Sequence, residues 1–176
     1  GSSVKMETQE TMKIIAAGNI FTGTFERDGM GGILTLGRNF ECRPNKLKGY
    51  YKYTSAKVSV SKGHLNEGED DLCSLYIALT DEQITVNTNK GIYFDPNSSA
   101  VIAYGSISDE ESKGADSFKE FTVDLEYKDL KRIPKYIIVV ASSSKYGDYM
   151  EGGKGSTMWL DDLELVYPKS MEEVRK

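Results

Sequence analysis

The chain of 176 residues predicts an all-β fold, a two-sheet antiparallel jelly-roll-like β-sandwich. Three observations lead there. Apolar residues recur with period two in short runs bounded by Gly, Asn, Asp or Ser, the pattern of half-buried strands. Seventeen glycines and long turn-rich connections suit antiparallel pairing better than parallel strands, which need crossover helices. No stretch carries a helical apolar stripe of useful length.

The elements follow in chain order. Gly1-Ser2 reads as an expression scar, residues 1–10 as that scar plus a linker, residues 11–168 as the sandwich, and residues 169–176 as a polar, fraying tail. Strands are expected over 11–16, 20–26, 32–36, 49–53, 57–61, 73–80, 84–88, 92–95 and 100–107. The clearest alternation is Phe121, Val123, Leu125 and Tyr127 against Thr122, Asp124 and Glu126. Residues 135–141 are apolar on both parities, which predicts a central strand covered on both faces. Long connections at 64–71, 107–117 and 142–156 are places where a rigid sandwich carries function.

The last strand, 156–167, raises a parity question. If it is regular, Asp161 shares a face with Trp159, Leu163 and Leu165; a bulge at Asp161-Asp162 instead aligns Met158 and Leu160 with Leu163 and Leu165. A carboxylate near the core edge needs a partner: backbone amides, a lysine, or a structural calcium ion held by Asp161 and Asp162 with a loop such as 17–19. No other cofactor is expected.

Several function classes are excluded. A net charge of −5 without a basic block makes nucleic acid an unexpected partner. The longest apolar run, 136–141, is too short for a membrane-spanning helix. Two cysteines and one histidine leave no Cys/His zinc set. Cys73 shares parity with Leu75, Ile77 and Leu79 and reads as an inert buried thiol, with a disulfide to Cys42 the alternative. His64 and the acidic runs 67–71 and 109–111 read as solvated loops, and Gly29-Met30-Gly31-Gly32 precedes a strand, so it is no phosphate cradle.

The ending Gly155-Ser156, Asp161-Asp162-Leu163, Leu165 and Tyr167 is similar to the last strand of many carbohydrate-binding jelly rolls. Taken with Ala17-Gly18-Asn19-Ile20-Phe21-Thr22-Gly23, with Phe40, Arg43-Pro44, Leu47-Lys48-Gly49-Tyr50-Tyr51-Lys52-Tyr53, and with Tyr76-Ile77-Ala78-Leu79, it resembles the putative carbohydrate metabolism domain of exported proteins from anaerobic gut bacteria. Asn39 stands before Phe40 where that pattern leads one to expect proline. The resemblance implies a jelly roll with a glycan-related role, downstream of another domain in a secreted or surface-anchored protein.

Sugar recognition sets flat aromatic surface against a pyranose and flanks it with carboxylates, amides and cations. Arg43, Lys48, Tyr50 and Lys52 supply those types, as do Tyr146, Asp148 and Tyr149. Trp159, the single tryptophan, is either core packing or a stacking platform, whereas Tyr51 and Tyr53 take the opposite face from Tyr50 and Lys52. Tyr127, Tyr136 and Tyr167 fall in apolar patterns and read as packing. The expected function is a non-catalytic module binding a glycan or polysaccharide. Alternatives are a structural or adhesion module, or a glycoside hydrolase, which needs two carboxyl groups facing one pocket with at least one pKa raised.

Overall fold

The computed structural model describes residues 2–170, so most of the tail expected over 169–176 lies outside the described residues. One sheet contains β1 (Val4–Glu7), β15 (Thr157–Val166), β8 (Lys46–Thr54) and β12 (Ala115–Asp124), in that order. The facing sheet runs β13 (Glu126–Tyr127), β11 (Val101–Ser106), β9 (Ser74–Thr80), β14 (Tyr136–Ser142) and β4 (Asn19–Phe21), with β7 (Arg38–Asn39) also on β14. All pairings are antiparallel.

Alternation decides what lies between the two sheets. On β8, Leu47, Tyr51 and Tyr53 point inward while Lys48, Tyr50 and Lys52 point out. On β9, Leu75, Ile77 and Leu79 join Cys73 in the same core. Tyr51 meets Phe121 edge to face with centroids 6.0 Å apart, and each such buried ring contributes about 1.5–3 kcal/mol of hydrophobic stabilisation. Their hydroxyls are satisfied: Tyr51 donates to Glu111 O and Tyr53 to Ser143 O, both at 3.0 Å.

A third layer was not legible as such. Strands β10 (Ile84–Asn87), β6 (Gly31–Leu36) and β5 (Gly23–Asp28) form a separate sheet that lays Leu36 and Val86 on Ala78 and Ile138. That is why 135–141 is apolar on both parities: Ile137 and Ala141 face the first core, Ile138 the second. A hairpin of β2 (Gln9–Thr11) and β3 (Ile14–Ala16) lies apart.

Four expectations are corrected. Residues 4–7, read as linker, are strand β1 with Met6 in the core, because one apolar contact and a free edge beside β15 suffice for pairing. The run 11–16 is interrupted by a turn in which Met12 and Lys13 take positive φ. Residues 57–61 and 92–95 are not strands but make isolated bridges, Lys57 to Asp70, Val60 to Gly152 and Ile92 to Asn87. The runs 20–26 and 121–127 each break and change sheets. Thr22 makes the first corner, its Oγ1 donating to Ile137 O and accepting from Val139 N–H, and Leu125 makes the second by donating its N–H to Asn45 O.

Strand β15 is bulged. Its register on β8 slips between Asp161 and Glu164, and Asp162 takes φ 49°. The bulge brings Met158 and Leu160 into the core and turns Trp159 outward, beside Lys52 on β8 and Lys5 on β1.

Both cysteines are free, Cys42 exposed and Cys73 buried, and burial pushes the Cys73 thiol up to about 12. A disulfide reagent is therefore expected to label one thiol of the native protein quickly. Labelling of the second waits for unfolding, roughly a hundredfold or more slower. Two fast equivalents would contradict the packing of β9.

Candidate functional site

The connection from β14 to β15, residues 143–156, is clamped at both ends. At its start Ser144 Oγ donates to Asp71 Oδ2 at 2.6 Å, and Thr8 Oγ1 lies 2.6 Å from Ser144 Oγ and 2.8 Å from Ser143 Oγ. Asp71 also accepts from Ser156 Oγ and Gly153 N–H, both at 2.8 Å, and is fully buried, which corrects its reading as part of a solvated acidic run. A polar group so deep is tolerated because donors converge on it.

At the far end stands Glu151, also fully buried. Its carboxylate accepts the backbone N–H groups of Lys62, His64 and Leu65 and lies 3.0 Å from His64 Nδ1. Burial by itself pushes its pKa up, but His64 and the three amides outweigh that and hold it below its ordinary 4.5. A folded pKa below the unfolded one means that this stabilisation is complete above about pH 4.5 and is lost as pH falls through the folded value. Wild type is therefore expected to lose urea resistance more steeply than Glu151→Gln between about pH 5 and pH 3. Parallel pH curves would show that Glu151 does not carry the linkage.

Between the clamps the chain rises in a short turn, Gly147–Tyr149, closed by Met150 at φ 58°. Gly147 lies so close to Ala17 that a Cβ there would sit 2.3 Å from the Ala17 Cβ. Two tyrosines of this turn form an aromatic ladder with His64, which is an exposed loop residue as expected but one whose ring is held by neighbours. His64 stacks on Tyr146 at 4.4 Å and 17° and tilts against Tyr149 at 4.4 Å, and Tyr149 stacks on Tyr93 at 4.0 Å.

The three tyrosines of the ladder, Tyr93, Tyr146 and Tyr149, line one wall of a groove of about 420 Å³, with His64 behind them. The opposite wall comes from the outer face of the central sheet: Tyr76 on β9 stacks on Phe94 at 4.8 Å, with Tyr104 of β11 6.0 Å from Tyr76. Ser74, Ser106, Asp109, Lys145 and Asp148 supply the polar positions. Lys145 pairs with Asp109 at 3.3 Å. Asp148 is exposed along the groove, and the protein crowded around it raises its pKa by partial desolvation. No hydrogen bond or ion pair among the described residues offsets it.

The residues expected to bind ligand therefore separate. Tyr146, Asp148 and Tyr149 meet in the groove. Lys48, Tyr50, Lys52 and Trp159 lie on the outer face of the other sheet, where Lys48 pairs with Glu120 at 3.6 Å and Lys52 and Lys5 flank the indole at 5.0 and 5.9 Å. Trp159 is thus not core packing. Arg43 is a structural contact at the sandwich edge, donating to Arg132 O and sitting 6.0 Å over Tyr127. Tyr127 donates to Pro44 O, but Tyr167, expected to pack, is 49% exposed.

Asp161 and Asp162 lie at the β15 bulge, where Asp161 accepts the Asp162 N–H at 2.9 Å. The 17–19 loop packs elsewhere, on Glu7 and Ser143, so the pair has no ligands from it. Among the described residues no three His, Cys, Asp or Glu side chains group as a metal site. No described helix is long and apolar enough to cross a membrane.

Sequence reasoning missed Tyr76, Tyr93, Phe94, Tyr104, His64 and Glu151. Tyr76 and Tyr104 carry a usable signal: each occupies the opposite parity from its strand's core residues, Ile77 and Ala103. His64 and Glu151 are 87 residues apart, and nothing local announces their pairing.

A family model described as "Putative carbohydrate metabolism domain" matches residues 1–166. No curated protein matches the chain. A structure from Bacteroides thetaiotaomicron VPI-5482, named a putative glycoside hydrolase, superposes with a TM-score of 0.78 at 25% identity, covering 97% of this chain and 55% of its own. A second from Bacteroides vulgatus ATCC 8482, with the same name, gives 0.73 at 24% identity over 94% of this chain and 73% of its own, and shows the fold alone. The chain thus spans little more than half the length of the first.

Proposed function

The chain belongs to the putative carbohydrate metabolism domain family, and on that premise we propose that it binds a glycan in the aromatic groove between Tyr149 and Tyr76. The observation that carries this reading is the groove itself: rings on both walls, with Asp148 accessible and unpaired between them. Aromatic faces take the apolar side of a pyranose, and a carboxylate accepts from its hydroxyls. Binding in the millimolar to micromolar range needs about 4–8 kcal/mol, within reach of a few such contacts. We further propose that the domain is a module of an exported protein of a gut bacterium, beside another domain. The Bacteroides neighbours, the first of which extends well beyond the matched part, support that reading.

Calorimetric titration with plant and host oligosaccharides tests it. At least one is expected to bind with a dissociation constant of about 1 mM or tighter while the fluorescence of Trp159 stays unchanged, since the indole lies on the other sheet. No binding across the panel would overturn the reading, and a tryptophan response abolished by Lys52→Ala would move the site.

One observation favours a second reading, glycoside hydrolysis: Asp148, of raised pKa, and Asp109 line the same groove. The first neighbour is named a putative glycoside hydrolase. Release of reducing sugar from any bound oligosaccharide, lost in Asp148→Asn, would decide for it.

A further inference from the structure

On the far side of Asp148 lies a second recess of about 480 Å³, formed where the β5–β6 hairpin approaches the 15–17 segment and Met150. Asp148 lines both cavities. Their chemistry differs. The recess is walled by Ile15, Phe21, Phe25, Met30, Leu34 and Met150. Its polar side chains other than Asp148 are partly engaged: Asn19 donates one amide hydrogen to Ala17 O, and Thr88 Oγ1 accepts from Gly32 N–H.

Two of these apolar groups face solvent, Phe25 at 58% and Met30 at 70% exposure. Phe25 is held in place from beneath. A Cβ at Gly32 would lie 2.1 Å from its Cε2, so the ring rests directly on the glycine backbone as a fixed platform. Met30 and Met150 are flexible, polarisable side chains that adapt to an apolar occupant of irregular shape.

We propose that the recess holds the apolar substituent of a neutral amphiphilic glycoside, an alkyl, acyl or aryl group, whose sugar occupies the groove and whose linkage lies at Asp148. This rests on the groove reading. A further sugar unit suits the recess poorly, because away from Asp148 and Asn19 its hydroxyls would meet apolar carbon and lose water without gaining a partner. An anionic headgroup suits it no better, since Asp148, the one ionisable residue of its lining among the described residues, would repel it. Alkyl carbon, by contrast, gains from each methylene withdrawn from water.

The test compares methyl and hexyl β-glycosides of glucose, galactose and N-acetylglucosamine, with free oligosaccharides and 1-hexanol as controls, by calorimetry on the intact chain. For the sugar that binds, the hexyl glycoside is expected to bind at least ten times more tightly than the methyl glycoside. The double variant Phe25→Ser/Met30→Ser, at two exposed positions, is expected to cut that advantage below threefold and leave oligosaccharide affinity unchanged. No hexyl advantage with sugar binding intact, an advantage that survives the double variant, or a gain only from longer oligosaccharides would each overturn this inference alone. Hexyl glycosides binding no better than 1-hexanol, with no oligosaccharide bound, would overturn the groove reading as well.

Discussion

Asp71→Ala is expected to lower the stability of the domain by about 3–5 kcal/mol, read as the shift in a urea unfolding curve at neutral pH. The carboxylate is fully buried and takes hydrogen bonds from Ser144 Oγ, Ser156 Oγ and the N–H groups of Gly153 and Leu72. Alanine leaves those donors facing a void, and each buried unsatisfied group costs about 1–3 kcal/mol. Asn in the same position keeps the shape and one acceptor oxygen, so a smaller loss of about 1–3 kcal/mol is expected. The network also links the N-terminal segment, through Thr8, to the start of the groove-forming connection. Thr8→Ala should therefore reproduce part of the loss. If Asp71→Ala unfolds at the wild-type urea concentration, the network is not what holds the connection down.

Tyr149→Ala is expected to weaken glycan binding by about ten- to a hundredfold, the 1.4–2.8 kcal/mol common for a central aromatic contact. The ring is one face of the groove and also supports its neighbours, lying 4.0 Å from Tyr93 and 4.4 Å from His64. His64→Phe keeps a flat ring between Tyr146 and Tyr149 and is expected to retain most of the affinity, whereas His64→Ala removes the middle of the ladder and should lose several-fold. Trp159→Ala, on the other sheet, is expected to change nothing. Wild-type affinity in Tyr149→Ala combined with loss in Trp159→Ala would reverse the assignment of the binding face.

Much of the fold was legible because strand alternation is a local signal. The inward set of β8, the inert Cys73 and the double-sided β14 were all readable as parity. The bulge at Asp161-Asp162 was one of two readings of the same strand, and the structure chose it by register: Met158 and Leu160 share the core face with Leu165 only because the strand slips between Asp161 and Glu164. The sheet changes at Thr22 and Leu125 were hidden, because alternation runs straight through a corner and does not say which neighbour the strand will pair with.

The candidate site was half legible. Tyr146, Asp148 and Tyr149 share a short segment rich in the residue types that bind sugars, and they do meet in one groove. Arg43, Lys48, Tyr50 and Lys52 share a segment just as closely, yet they serve the sandwich edge and the outer face of the other sheet. Sequence proximity was equal in the two cases, and only the layer each segment faces distinguished them.

By itself the sequence determined an all-β sandwich, its central strands and the family to which it belongs, since these depend on local periodicity and on motifs within single segments. The tertiary structure alone decided where the aromatic surface gathers. Tyr76, Tyr93, Tyr104 and Tyr149 come from four separate segments, and His64 meets Glu151 across 87 residues. Such a site is specified by which strands pair and which loops their ends bring together, a long-range outcome that no window along the chain contains.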